Sequence, residues 1–458
     1  MVKTEGNNRI IALLFVGVLM GALDISIVGP ALPSIETAIK VDDRFSGWIF
    51  SIYVLFNLVG ISLFARLSDI YGRRRIYVLA VSIFAAGSLW VSLSQNFNLL
   101  LIGRAVQGFG ASGIFPVASA LVGDLFPPEK RGRVLGMIGA VFGLAFLMGP
   151  FMAGVMLHYF SWNFLFIINL PISAVIIYYS FRILPATTST VVSSIDWWGI
   201  ITMGSALAAL TFGLNNLDTL KSVSSSGNTM VILPFIISII SFLLLIVAEK
   251  RAENPIVKLE FFSNNQIRIV GAIAIVTGMV QSCFVYIPKY VVTSFSVEPS
   301  VASFMLTPFV LATAIGSPIF GRLIDRYGVK RIIIAGLILT AAGFFILPRT
   351  AGHRLLFYTS GVLVGLGLSV LAGSSLRYIM LNNTDINDRA VSQGMITIFT
   401  SVGQLTGTAL VGLMLGSMIA AKAFNLLFLG VSMVLLILVP FSFGIRRSVP
   451  SQQVPDNN

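Results

Sequence analysis

Ala65-Arg66-Leu67-Ser68-Asp69-Ile70-Tyr71-Gly72-Arg73-Arg74-Arg75 returns 256 positions later as Gly321-Arg322-Leu323-Ile324-Asp325-Arg326-Tyr327-Gly328-Val329-Lys330-Arg331, identical at six of its eleven positions. The matches are Arg66/Arg322, Leu67/Leu323, Asp69/Asp325, Tyr71/Tyr327, Gly72/Gly328 and Arg75/Arg331. Each copy is a charged cluster set between two long apolar runs. Two halves carrying the same charged loop between membrane helices is the organisation of a chain built from parallel transporter repeats. Gly72 and Gly328 permit a tight turn that a bulky residue would strain. Asp69 and Asp325 are placed to cap the helix that follows or to accept hydrogen bonds from arginine. Arg73 and Arg74, like Lys330 and Arg331, then fall at the headgroup level. A hydrophilic hairpin that only fixes topology would need no more than this.

Composition agrees with a membrane protein. Of 458 residues, 56% are hydrophobic and 10% charged, and the mean hydropathy is +0.92. A soluble chain carries about a quarter charged residues. Apolar runs of about 20 residues, enough to cross a ~30 Å hydrocarbon core, recur from end to end. Fourteen spans are predicted, roughly at 10–33, 45–65, 76–94, 99–122, 134–157, 162–183, 196–216, 230–248, 268–288, 299–320, 332–348, 355–376, 390–416 and 424–445. The first run is too long, and followed by too many others, for a cleavable signal peptide. The single cysteine, Cys283, excludes a disulfide framework and reads as a small core residue.

The formal charge of +12 is set by topology. With the first span entering from inside, roughly 22 of the 30 Lys and Arg residues fall on the cytoplasmic side and about seven outside. Both termini are therefore expected in the cytoplasm of a multi-pass plasma-membrane protein, and no nucleic-acid partner is implied. The expected architecture is an all-α integral membrane protein of two pseudo-symmetric six-helix halves, 1–185 and 265–447. Between them, 186–264 is a linker with two extra transmembrane helices, flanked by a polar segment at 185–195 and an interfacial one from Glu249 to Gln266. Within it, Asp218–Thr229 reads as a solvated loop. Residues 448–458 form a polar cytoplasmic tail.

Two further signals carry no chemistry. Gly108-Phe109-Gly110-Ala111-Ser112-Gly113 fits a dinucleotide fingerprint, but that fingerprint needs a preceding strand in a βαβ unit. Here it lies inside a membrane helix, where glycines serve packing. His158 and His353 sit at outer span ends without ligand spacing, so no metal site is expected. No nucleophile–base pair at convincing spacing occurs within the spans, and no enzyme is expected.

Asp24 is the one acidic residue predicted well inside a span. Such a group costs about 2.5–3.5 kcal/mol on insertion scales and normally faces a cavity or a partner. From Arg9, fifteen residues at ~1.5 Å put Asp24 about 22 Å from the inner surface. Arg104, about 9 Å below the outer surface of a ~30 Å core, lies about 21 Å from the inside. The two charges share a depth. Shifted by 256, position 104 becomes Ser360, and the second half shows no buried acid, so proton chemistry is expected in the first half. A static ion pair is the plain alternative.

The motifs jointly resemble those of the major facilitator superfamily, and specifically its fourteen-span drug:proton antiporters, over essentially the whole chain. The repeated loop resembles the family's Gly-x-Leu-Ala-Asp-Arg-x-Gly-Arg-Arg signature, with Ala65 for the leading Gly and Ile70 for a usual Arg. The segment Leu23-Asp24-Ile25-Ser26-Ile27-Val28-Gly29-Pro30-Ala31-Leu32-Pro33 resembles the first-helix signature of the fourteen-span exporters. Trp48, Tyr53 and Leu55 match the second helix, and Arg104-Ala105-Val106-Gln107-Gly108 the fourth. Gly136, Ala145, Gly149, Pro150, Ala153 and Gly154 keep the fifth-helix antiporter spacing. Trp162, Phe166, Asn169 and Pro171 resemble the sixth helix, with Asn163 at a position commonly Arg.

The resemblance implies that the loop latches the two halves, that Gly149, Pro150 and Gly154 form a kinked, flexing fifth helix, and that transport proceeds by alternating access. It implies a proton-coupled exporter of small amphipathic or cationic compounds, with Asp24 and Arg104 as the coupling pair. Its partners are then a small-molecule substrate, protons and membrane lipids; it works as a monomer, with no cofactor beyond the proton gradient. Tyr53, Asn57, Gln281, Phe284 and Tyr286 are candidates to line a substrate cavity, as polar or aromatic groups in helices expected to border one. A dedicated exporter of a metabolite, peptide or lipid stays open, as does an ion channel, although no acidic ring marks a pore.

Overall fold

A computed structural model describes residues 4–42, 45–126, 141, 144–145, 148–186, 196–216, 225–252, 255, 257–384 and 389–446. Every regular element among them is a helix. Among the described residues thirteen helices are long and apolar enough to cross a membrane, and each falls on one of the fourteen predicted spans. The fourteenth, 134–157, is described at its end as a helix over 148–159. Gly136, Lys130, Arg131, Arg133, the tail at 448–458 and most of Asp218–Thr229 lie outside the described residues.

The helices are α1 (Thr4–Ile39), α2 (Trp48–Tyr71), α3 (Arg73–Ser92), α4 (Phe97–Leu125), α5 (148–159), α6 (Phe164–Ile167), α7 (Asn169–Ile183), α8 (Trp197–Asn215) and α9 (Ser225–Arg251). There follow α10 (Asn265–Val285), α11 (Ile287–Phe295), α12 (Pro299–Met305), α13 (Thr307–Tyr327), α14 (Val329–Ile346), α15 (Arg354–Leu371), α16 (Ser374–Asn382), α17 (Arg389–Ser417) and α18 (Ala420–Ser442). They divide into two compact units. One comprises Met1–Ile256, Gln281–Thr307 and Gln404–Ala423; the other comprises Val257–Val280, Pro308–Gly403 and Phe424–Asn458.

In the first unit α4 is the central helix, packed on α2 and α3. Lipid tails are as apolar as leucine, so helices associate through close approach and polar bonds more than through apolar burial. The glycines of α4 supply the approach. A Cβ on Gly108 would lie 2.8 Å from Tyr53 Cα of α2, one on Gly110 2.7 Å from Phe84 Cα of α3, and one on Gly113 2.6 Å from Ala80 Cβ of α3. The apparent dinucleotide fingerprint is thus three packing contacts. Asn96 starts the helix by accepting from the Leu99 amide at 3.0 Å, satisfying one orphan donor.

Helices α8 and α9 pack together, with Ser238 Oγ donating to the Ala206 carbonyl at 2.9 Å. Asp196 caps α8 through the Gly199 amide at 2.8 Å. Helix α8 leans on α2, where the Trp48 and Phe212 rings lie 6.3 Å apart. The face of α9 bearing Ile232, Ile236, Ile239 and Leu243 is exposed, as befits a lipid-facing helix.

In the second unit α14 and α15 form the tightest pair. Gly343 meets the Ser360 carbonyl, 2.9 Å from a would-be Cβ, and Ser360 Oγ donates to the Gly343 carbonyl at 3.0 Å. Ser432 of α18 donates to the Ala341 carbonyl at 2.8 Å.

The repeated loop has the same backbone in both copies. Gly72 (φ 94°) separates α2 from α3, and Gly328 (φ 81°) separates α13 from α14. Both conformations are ones that side chains with a Cβ rarely adopt.

Candidate functional site

Asp24 sits mid-way along α1 and is fully buried, as is Arg104 on α4. Arg104 Nη1 donates to Asp24 Oδ2 at 2.7 Å, so the shared depth is a contact. Gln107, three residues on and hence on the same face of α4, completes a relay. Its Oε1 accepts from Arg104 Nη1 at 2.6 Å, and its Nε2 donates to Asp24 Oδ1 at 2.7 Å and to Ser88 Oγ of α3 at 2.8 Å. Asn169, the first residue of α7, adds bonds of 3.2 Å to Asp24 Oδ1 and 3.3 Å to Ser88 Oγ. Ile168, between α6 and α7, keeps helical dihedrals, and Asn169 follows it within the sixth span.

Arg104 is held from two further directions. Its Nε donates to the Ile49 carbonyl at 3.1 Å. Its guanidinium carbon lies 4.3 Å from the centroid of the Tyr53 ring and 5.7 Å from that of Phe166, distances at which a cation is attracted to an aromatic face. The carboxylate therefore receives three N–H donors while its counter-ion is stacked and bonded. Gln107 and Asn169 are amides, able to donate or to accept. The same shell can satisfy Asp24 whether ionised or protonated. Two atoms remain over: among the described residues, Arg104 Nη2 and Tyr53 Oη are buried with no hydrogen-bond partner.

The repeated loop forms a second cluster. Arg73 pairs with Asp69 at 2.5 Å and, through Nε, with Asp124 at the end of α4 at 3.0 Å. Its Nη1 also donates to Ser68 Oγ at 2.7 Å. The expected capping by Asp69 is not what forms: the residue lies inside α2, Gly72 occupies the cap position of α3, and no side chain bonds there. Its carboxylate reaches Arg73 across the turn, as the alternative expectation had it. Arg74 donates to the Leu184 carbonyl at 3.3 Å. In the second copy Lys330 donates to the Phe443 carbonyl at 2.5 Å and Arg331 is exposed; the Asp325 side chain lies outside the described residues.

On α5, Gly149 approaches Ser26 of α1, 2.6 Å from a would-be Cβ to Ser26 Cβ, and Gly154 lies under the Phe304 ring of α12. Pro150 is buried. Among the cavity candidates, Tyr53 belongs to the Arg104 cluster, and Asn57 donates to the Gly108 carbonyl at 3.4 Å. Gln281 accepts from Gln404 at 2.8 Å, Phe284 is half-buried, and Tyr286 is wholly buried. Tyr53 thus reaches the Asp24 site through its stacking on Arg104.

The family model of the Major Facilitator Superfamily matches residues 14–290 and 270–458. The chain belongs to that superfamily and is a multi-pass membrane transporter. It is 32% identical to the uncharacterised MFS-type transporter YfiU of Bacillus subtilis, over 88% of this chain and 79% of that one. It is 29% identical to multidrug resistance protein 3 of the same organism, over 90% and 80%. To the riboflavin transporter RibZ of Clostridioides difficile it is 28% identical, over 79% and 78%. The solved structure of the nucleoside transporter NupG superposes with a TM-score of 0.67, covering 95% of this chain and 99% of that one at 12% identity, a likeness of fold alone.

Proposed function

We propose that the protein is a proton-coupled antiporter that exports small amphipathic or cationic compounds by alternating access. The observation that carries this reading is Asp24, fully buried and held by Arg104, Gln107 and Asn169. An acid kept at that depth is costly, and a shell of amides lets it gain or lose a proton without stranding a polar atom. Arriving cation and departing proton compete for one carboxylate. Protonation from the opposite face then favours release. The gradient supplies the energy and no cofactor is required. Kinship with a protein named for multidrug resistance supports the breadth of substrate; kinship with a riboflavin transporter favours a dedicated metabolite exporter as the second reading.

The same proposal places fourteen spans in the plasma membrane of a monomer, with both termini cytoplasmic, halves at 1–185 and 265–447, and α8 and α9 as the added linker helices. The loop around Gly72, with its Asp69–Arg73–Asp124 cluster, and the matching loop of Asp325, Gly328, Lys330 and Arg331 work as the cytoplasmic switch. The glycines of α5 let that helix slide on α1 and α12. Proteoliposomes separate the two readings. With an imposed proton gradient, a panel of organic cations, neutral drugs and flavins should show uptake of several unrelated cations. Movement of a single metabolite alone would select the dedicated exporter, and flux without counterflow would select a channel.

A further inference from the structure

Among the described residues, a largely buried ion pair lies outside the Asp24 site. Lys289 Nζ lies 2.8 Å from Glu36 Oε1, with side chains only 6% and 10% exposed. The partners are 253 residues apart. Glu36 lies in the last turn of α1 and Lys289 in the first turn of α11, so the pair joins the first repeat to the second. It sits at the end of α1 remote from the Gly72 turn.

The surroundings are as close as the pair itself. A Cβ on Gly29 would lie 2.7 Å from the Val285 carbonyl oxygen, and one on Gly47 would strike the Tyr286 hydroxyl and lie 2.7 Å from Thr408 Cγ2. Gly29 and Gly47 belong to the first repeat, and Val285, Tyr286 and Thr408 to the second. Helices α1, α10, α11 and α17 and the residues just before α2 therefore meet here with no room for an added methyl group. The pair also has no symmetry mate: shifted by 256 positions, Glu36 falls on Val292 and Lys289 on Pro33. The charged cluster near the Gly72 turn differs in kind, since Arg73, Asp69 and Asp124 all lie within one repeat. A contact made between repeats, at one face, is suited to closing that face.

We propose that Glu36 and Lys289 form the latch of the face remote from the Gly72 loop, which parts whenever the cavity opens there. Removing either charge takes away the attraction that joins the two repeats at this face, which favours the arrangement in which the face is open. The inference needs alternating access and does not depend on proton coupling or on the substrate.

Thr408, buried against Gly47, reports on the latch. Replacing the single cysteine gives a C283S chain, to which T408C adds one thiol beneath the closed face. A membrane-impermeant maleimide, applied to size-exclusion-verified protein in proteoliposomes, reads how often that face opens. E36Q and K289E should each raise the labelling rate about tenfold, a shift of population that a few-fold change in affinity between states would not give. The charge swap E36K/K289E should return it to near the parent's rate. Single variants that label at the parent's rate overturn the proposal. So does a folded swap chain that labels as fast as the singles, and the swap decides alone where a single variant fails to fold.

Discussion

Arg104 ties the site together. It bonds the Asp24 carboxylate, the Gln107 amide and the Ile49 carbonyl, and it stacks on Tyr53. Removing it leaves a buried carboxylate with no counter-charge, a loss of about 3–5 kcal/mol. Arg104→Leu should therefore destabilise the protein severely. Adding Asp24→Asn should recover a large part of that loss, because the stranded charge is then gone. Thermal melting of the two single variants and the double checks this as a cycle; strictly additive losses would mean the two side chains do not depend on each other. Much of this site was legible in the sequence. Fifteen residues of helix rise along α1 and six along α4 already put the two charges at one depth, whereas Gln107 entered only as part of a motif and not as their partner. Asn169 and Ser88 were not legible as partners, because rise per residue says nothing about how neighbouring helices are rotated towards one another.

At the scale of the element, the glycines of α4 decide whether three helices can pack. A Cβ on Gly110 would lie 2.7 Å from Phe84 Cα, whereas one on Gly430 of α18 would meet nothing within 4 Å. Gly110→Ala should cost about 1–3 kcal/mol through overpacking, while Gly430→Ala should be neutral or stabilising by up to about 1 kcal/mol through helix propensity. Detergent melting curves distinguish them, and equal effects would contradict the packing assigned to α4. Thirteen of the fourteen spans were readable from hydropathy because the bilayer fixes their length. The role of Asp69 was readable only in part. Its spacing from Gly72 fits a cap as well as an arginine partner, and what decides is that α2 runs on to Tyr71, which carries the carboxylate away from the α3 amides and towards Arg73.

For the whole molecule, the repeat predicts two equivalent loops on one face. In the C283S background, single cysteines at Arg75 and Arg331, both exposed, should label from the same side of the membrane with an impermeant thiol reagent; labelling from opposite sides would contradict a parallel repeat. The repeat was visible because loop residues match one for one. The Glu36–Lys289 contact was not, since it joins residues 253 apart that no shift of the repeat relates. The central claim, that Asp24 is the proton-carrying group, is tested most directly by substrate-induced proton release, recorded with a pH-sensitive dye as an organic cation such as ethidium is added to purified protein. The wild type should release protons, and the folded fraction of the nearly isosteric Asp24→Asn, isolated by size exclusion, should release none. Release by the Asn variant equal to the wild type's would contradict the account and leave the pair with Arg104 a static one.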